Sequence, residues 1–254
     1  MNTAAIDLSI LGPALAAGLL VTATHAPLGI QVLGRGIVFI DLAIAQVAGL
    51  GVIFADSLGL EPQGWAVQAA ALTAAFGGAL LLTWTERRWP EVQEAVIGTT
   101  FILAASGALL LLAANPHGGE HLKELLVGQI LWVNWTRLLP VALIYAVILA
   151  LWLGWGERVG RIGFYLIFAV AVTISVQLVG LYLVFTTLIV PALATYRFQR
   201  GRLAVCYTLG AAGYALGLVV SAVLDLPSGA VIVCSLALLA LPVFIYGARR
   251  PAAG

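Results

Sequence analysis

From Ile162 to Tyr196 the chain reads "IGFYLIFAVAVTISVQLVGLYLVFTTLIVPALATY", about 35 residues without a charged side chain, closed by Arg161 on one side and Arg197 on the other. As one helix this stretch would be roughly 52 Å long at 1.5 Å per residue. The hydrocarbon core of a bilayer is about 30 Å thick. The segment either doubles back inside a membrane or stands well out of it. The rest of the chain has the same character: 62% of its residues are hydrophobic and 9% are charged, where a soluble domain carries roughly 25% charged residues. Apolar runs recur at 8–33, 37–55, 65–85, 95–114, 138–154, 162–196, 203–224 and 230–248. Continuous runs of this length specify an all-α, polytopic membrane helical bundle, whereas a β-barrel would show short alternating segments. Residues 1–254 read as a single transmembrane domain without repeats or a soluble insert.

The basic residues set the topology. Arg35, then Arg87 and Arg88, then Arg158 and Arg161, then Arg197, Arg200 and Arg202, then Arg249 and Arg250 form five clusters. The connectors between those clusters carry only Lys123, with Arg137 just before the fifth run. Basic loops are retained in the cytoplasm. All five clusters share that side only if the long run returns to the side it left, as two short crossings bent near Val179, Gly180 and Leu181. This gives nine crossings, with the N-terminus outside and the C-terminus cytoplasmic. One long tilted helix with a cytoplasmic extension gives eight instead. Pro191 in the second arm removes an N–H, frees a carbonyl and favours a kink; Gly180 and Pro191 are the candidate gate residues.

Other classes are disfavoured. A net charge of +1 suggests no nucleic-acid partner. The start "MNTAAIDLSI" lacks a basic n-region, so no cleavable signal peptide is expected. Cys206 and Cys234 fall inside apolar runs and read as inert thiols. There is no GxxxxGK[ST] loop, and the single lysine, Lys123, lies in an outer connector, so a transport activity would draw on an ion gradient or on a separate ATPase.

Few ionisable groups lie within the apolar runs. His25 and Asp41 both fall toward the cytoplasmic half, at similar depth by this topology. An aspartate at helix centre costs at least ~2.5 kcal/mol, so Asp41 either serves function or pairs with an arginine near the interface. An imidazole opposite that carboxylate would suit zinc or manganese; otherwise His25 is a packing residue. A second cluster occupies the outer loop "NPHGGEHLKE", where His117 and His121 are four residues apart beside Glu120 and Glu124. On a helix, His117, His121 and Glu124 would share a face and could grip Zn²⁺, although Gly118 and Gly119 weaken the helix and leave a solvated loop as the other reading. The following "ELLVGQILWVNWTRLL" suits an interfacial or re-entrant helix.

Five segments in order resemble one family, the integral-membrane permease of metal-ion ABC importers of the zinc, manganese and iron class. "PLGIQVLGRGIVFIDLAIAQVAGLGV" is similar to its first cytoplasmic turn and second helix, and "EAVIGTTFILAASGALLLL" to its acidic residue followed by A-x-G. "LLVGQILWVNWTRLL" resembles its outer G-x-[IL]-L-x-V-x-W element. "AVTISVQLVGLYLVFTTLIVPALAT" is similar to its V-G-x-L-L-V…L-I-x-P-A segment, and "LDLPSGAVIVCSLALLALPVFI" to its D-x-P-[ST]-G-[AP] ending. The resemblance implies a homodimer of permeases, a cytoplasmic ABC ATPase dimer, an extracytoplasmic metal-binding protein, a divalent metal ion as cargo, and no cofactor or enzyme active site on this chain. It departs from the family in the second helix, where many members read G-D-A-[LI]-[SA]-H-A. Here Asp41 stands at the Gly position, Leu42 at the Asp position and Gln46 at the His position, so Asp41 and Gln46 carry over as pathway candidates only. The cytoplasmic segment before the long run is merely "GWGERVGR", which assigns ATPase contact to Arg158 and Arg161 together with Arg87, Arg88 and Glu94 of "TERRWPEVQE" and Arg197 and Arg200 of "RFQRGR". The rival functions are a proton-driven secondary metal carrier using Asp41 and His25 as a relay, and an ABC permease for a chelate such as haem or cobalamin.

Overall fold

The computed structural model describes residues 7–60, 64–112, 130–155 and 160–248. Among them lie nine α-helices: α1 Leu8–Arg35, α2 Ile40–Ser57, α3 Trp65–Arg88, α4 Gln93–Leu112, α5 Trp135–Trp155, α6 Gly160–Val179, α7 Leu181–Ala194, α8 Arg202–Leu224 and α9 Ser228–Ala248. Short 3-10 turns at Pro90–Val92 and Ile130–Trp132 precede α4 and α5. Every apolar run expected from the sequence is represented by a helix. Starts and stops follow local chemistry: the Asp7 carboxylate accepts the Ser9 N–H at 2.8 Å to cap α1, and the Asn134 side chain accepts the Arg137 N–H at 2.9 Å at the start of α5. That cap begins α5 at Trp135, three residues ahead of the apolar run.

The long uncharged stretch is broken where the sequence places the bend. Gly180 alone separates α6 from α7, with φ 88°, a conformation that costs glycine nothing and a side chain a great deal. Each helix closes on it, Gly180 N–H donating to Val176 O at 2.9 Å at the end of α6 and Val184 N–H donating to Gly180 O at 3.1 Å at the start of α7. The two arms are unequal. Eight helices are long and apolar enough to span a bilayer, whereas α7, with 14 residues, is a shorter apolar helix of roughly 21 Å. The long run therefore doubles back as expected, and the described residues hold eight full-length apolar helices and one short return arm.

Side-chain contacts fix the helix directions. Gly18, Thr22 and Ala23 of α1 meet Tyr214, Gly210 and Tyr207 of α8 in antiparallel order; Gly213 and Gly217 of α8 meet Leu236 and Ile232 of α9 likewise. The Arg35 guanidinium lies 4.0 Å from the centroid of the Phe164 ring, and Arg161 pairs with Glu86 at 3.6 Å. These contacts put the end of α1, the end of α3 and the start of α6 together. Arg202 reaches Ala192 at the end of α7, so α7 returns to the end where α8 starts. Seven arginines (Arg35, Arg87, Arg88, Arg161, Arg197, Arg200 and Arg202) therefore share one end of the bundle, and Arg137, near Gly12 through Trp135, sits at the other. Arg158, Lys123, Arg249 and Arg250 lie outside the described residues.

The core surrounds α6 and α7. Phe164, Tyr165, Phe168, Val172, Leu183, Val184 and Leu188 are at or near complete burial, and small residues let neighbours close on them. The tightest approach is at Gly29 of α1, where a Cβ would stand 1.9 Å from the Leu188 carbonyl oxygen. Gly29→Val is expected to cost about 1–3 kcal/mol or more through overpacking, whereas Gly34→Ala, with nothing within 4 Å, is expected to be neutral or slightly stabilising; thermal midpoints in detergent compare the two. Single cysteines replacing Arg88 and Arg197 are expected to react with an impermeant maleimide from one face of the membrane, and one replacing Arg137 from the other.

Candidate metal pathway

His25 and Asp41 are both wholly buried, at 0% exposure. His25 lies within α1 in a polar stretch with Thr22 and Thr24. Its Nδ1 is 3.1 Å from the Val21 carbonyl and 3.0 Å from Thr24 Oγ1. With Nδ1 donating to the carbonyl, Nε2 is left as a bare lone pair, and it has no partner. Asp41 occupies the first turn of α2, where its carboxyl lies beside the backbone N–H groups of Asp41 and Leu42, and neither oxygen has a well-formed hydrogen-bond partner among the described residues. Buried polar groups are nearly always satisfied, and an unpaired carboxyl within a bundle is costly. Two metal-ligating side chains are therefore held unsatisfied in the interior.

Among the described residues no arginine pairs with Asp41: Arg35 turns over Phe164 and Arg161 takes Glu86. Nor does the structure join Asp41 to His25, since no hydrogen bond links them. Ten residues of α1 separate His25 from Arg35, roughly 15 Å of helix, while Asp41 lies one residue inside α2. The two groups occupy successive levels rather than one. Gln46 is half-buried further along α2. Among the described residues no cluster of three or more His, Cys, Asp or Glu side chains could hold a metal ion. His117, Glu120 and His121 lie outside the described residues.

The gate candidates take different positions. Gly180 is the hinge-like break, and Pro191 sits buried in the last turn of α7 with its carbonyl held by Thr195 and Cys206. Of the expected ATPase contacts, Arg87, Arg88, Arg161, Arg197 and Arg200 are exposed at the arginine-rich end. Glu94 is engaged locally, its carboxylate accepting the Val38 N–H at 2.8 Å and so tying the α1–α2 turn to α4.

Sequence reasoning missed the hydroxyls that brace this region. Pro27 leaves the Ala23 carbonyl without its helical donor, and Tyr207 of α8 supplies one at 3.2 Å. The Tyr214 hydroxyl bonds Thr187 of α7 at 2.9 Å; Thr187 donates to its own Leu183 carbonyl, so Tyr214 is the donor. Tyr145 of α5 bonds Ser175 of α6. The prolines were visible in the sequence, but the donors come from distant helices and only packing reveals them.

The ABC 3 transport family matches residues 7–158 and 157–247. The high-affinity zinc uptake system membrane protein ZnuB of Haemophilus influenzae is 25% identical over 261 residues, covering 92% of this chain and 97% of that protein. Among solved structures, PsaBC from Streptococcus pneumoniae in complex with Fab matches with a TM-score of 0.78 at 21% identity, over 96% of this chain and 95% of that one. A chain described as an inward-facing, metal-chelate type ABC transporter matches with a TM-score of 0.66 at 17% identity, over 92% and 85%. The fold is shared with both. With the family matched over nearly its whole length, the chain belongs to the ABC 3 transport family.

Proposed function

We propose that this chain is the permease subunit of an ABC importer for a divalent transition-metal ion, zinc first and manganese or iron next. The family match over nearly the full chain carries the reading, and the likeness to a zinc-uptake membrane protein along almost its entire length supports zinc. The chain has no phosphate-binding loop, so ATP hydrolysis belongs to a separate cytoplasmic ATPase dimer. A second copy of the permease and an extracytoplasmic metal-binding protein complete the assembly. The protein resides in the plasma (inner) membrane. Gathering seven arginines at one end supports placing that end in the cytoplasm, with the N-terminus outside and the C-terminus inside. There Arg87, Arg88, Arg161, Arg197 and Arg200 face the ATPase.

In this reading His25 and Asp41 are successive stations for the dehydrating ion, which supplies the charge each lacks. The chemistry suits the cargo: imidazole and carboxylate both bind zinc and manganese, whereas the Gln46 amide contributes weakly. A proton-driven carrier is the second reading, favoured by the wholly buried Asp41 carboxyl, which forms no ion pair among the described residues.

Proteoliposomes separate the two. Reconstituted with its ATPase and loaded binding protein, the permease is expected to accumulate Zn²⁺ only with ATP. Asp41→Asn is expected to reduce uptake about tenfold, a loss of ~1.4 kcal/mol at the limiting step. Uptake driven by a pH gradient with the ATPase omitted would overturn the importer reading and establish the carrier.

A further inference from the structure

The end of α7 is held by an unusual set of donors. The Ala192 carbonyl accepts a guanidinium N–H of Arg202 at 3.0 Å and the Thr195 hydroxyl at 3.3 Å. The neighbouring Pro191 carbonyl accepts the Thr195 hydroxyl at 2.9 Å, the Thr195 N–H at 3.2 Å and the Cys206 thiol at 3.4 Å. Thr195 and Cys206 are fully buried and touch each other at 3.2 Å. Two of the last carbonyls of α7 are thus gripped by its own C-cap and by the first turn of α8.

Arg202 stands where local preference opposes it. It is the first residue of α8, and a cation at a helix N-terminus works against the macrodipole; at the C-terminus of α7 the same charge is favourable. A residue that breaks a local rule points to a compensating role, and here the compensation is the bond to Ala192. At the other end of α7, Gly180 is its sole covalent link to α6 and occupies a backbone state away from both helices. Between these ends, α7 lies with its Leu188 carbonyl against Gly29 of α1, four residues beyond His25. The Tyr196 ring stacks on Phe244 of α9 at 5.9 Å, so the connector leading to exposed Arg197 and Arg200 also rests on α9.

We propose that Arg202, with Thr195 and Cys206, locks α7 and the 195–201 connector into one lever hinged at Gly180, so that displacement of the connector is delivered to the α1 face that carries His25. Arg202 is a positioning residue: it touches no cargo and acts through the α7 carbonyls. What displaces the connector follows from the permease reading, on which this part of the inference rests; the lock itself does not depend on it.

The test uses the full-length permease with its ATPase, in a Cys234→Ala background. Spin labels at Gln199→Cys on the connector and Tyr182→Cys at the start of α7 report the lever's rigidity as the width of their distance distribution. The lock gives a narrow distribution that broadens in Arg202→Gln and stays narrow in Arg202→Lys. In parallel, Zn²⁺ taken up per ATP hydrolysed is expected to fall about fivefold or more in Arg202→Gln, the scale of a typical coupling energy, and to recover in Arg202→Lys. Simple destabilisation would lower uptake and hydrolysis together and leave their ratio alone. Thr195→Val, nearly isosteric, serves where Arg202→Gln does not fold. An unchanged distance distribution in the variants overturns the lever, whatever the ratio does. Failure of the unaltered complex to take up Zn²⁺ would strike the cargo reading, while the label distances still decide the lock.

Discussion

A backbone carbonyl released inside an apolar bundle has no water to turn to, and this constraint organises the structure around α1, α7 and α8. Pro27 opens a gap in the ladder of α1, and Tyr207 fills it from α8. At the end of α7 the open carbonyls are met by Thr195, Cys206 and Arg202. At Gly180 the residue's own N–H and carbonyl are taken, the first by the end of α6 and the second by the start of α7. Each interruption is thereby tied to a particular neighbour, and those neighbours define which helices move together.

The arginine-rich end is arranged by the same economy of partners. Arg161 and Glu86 form an ion pair whose arginine is well exposed, a geometry worth little in stability by itself. Its consequence is positional: with Arg161 on Glu86 and Arg35 laid over Phe164, neither of these two guanidiniums is turned to Asp41. The carboxyl stays buried and bare because the nearest sequence candidate for its partner is committed elsewhere.

The helices were legible because each spans a membrane-length apolar run, and the direction of the long uncharged stretch was legible because arginines bracket it. The bend near Val179, Gly180 and Leu181 followed from the length of the stretch together with the need for its flanking arginines to share one side. What could not be read was the inequality of the two arms. The composition of α7 would let it continue, and it stops at Thr195 because donors from α8 close its last carbonyls. The spacing of His25 and Asp41 was obscured for a similar reason. Both precede or follow Arg35 closely in sequence, but α1 remains helical to Arg35 and so carries His25 a further two to three turns inward. Local pattern gives helices; the level of a side chain within the bundle depends on where each helix ends.

That separation bears on how such a chain can pass an ion. A site assembled from three or four strong ligands holds zinc tightly, and a conduit must release what it binds. Here imidazole and carboxylate are buried at different levels, each with unused lone pairs, and Gln46 adds only a weak amide. On the permease reading, an ion moving inward exchanges one incomplete shell for the next, and no level completes its coordination. Selectivity would then rest with whatever delivers the ion. On that reading Gln46 in the second helix is compatible with a family fold kept along nearly the whole length, because a route requires ordered weak stations more than it requires one strong one.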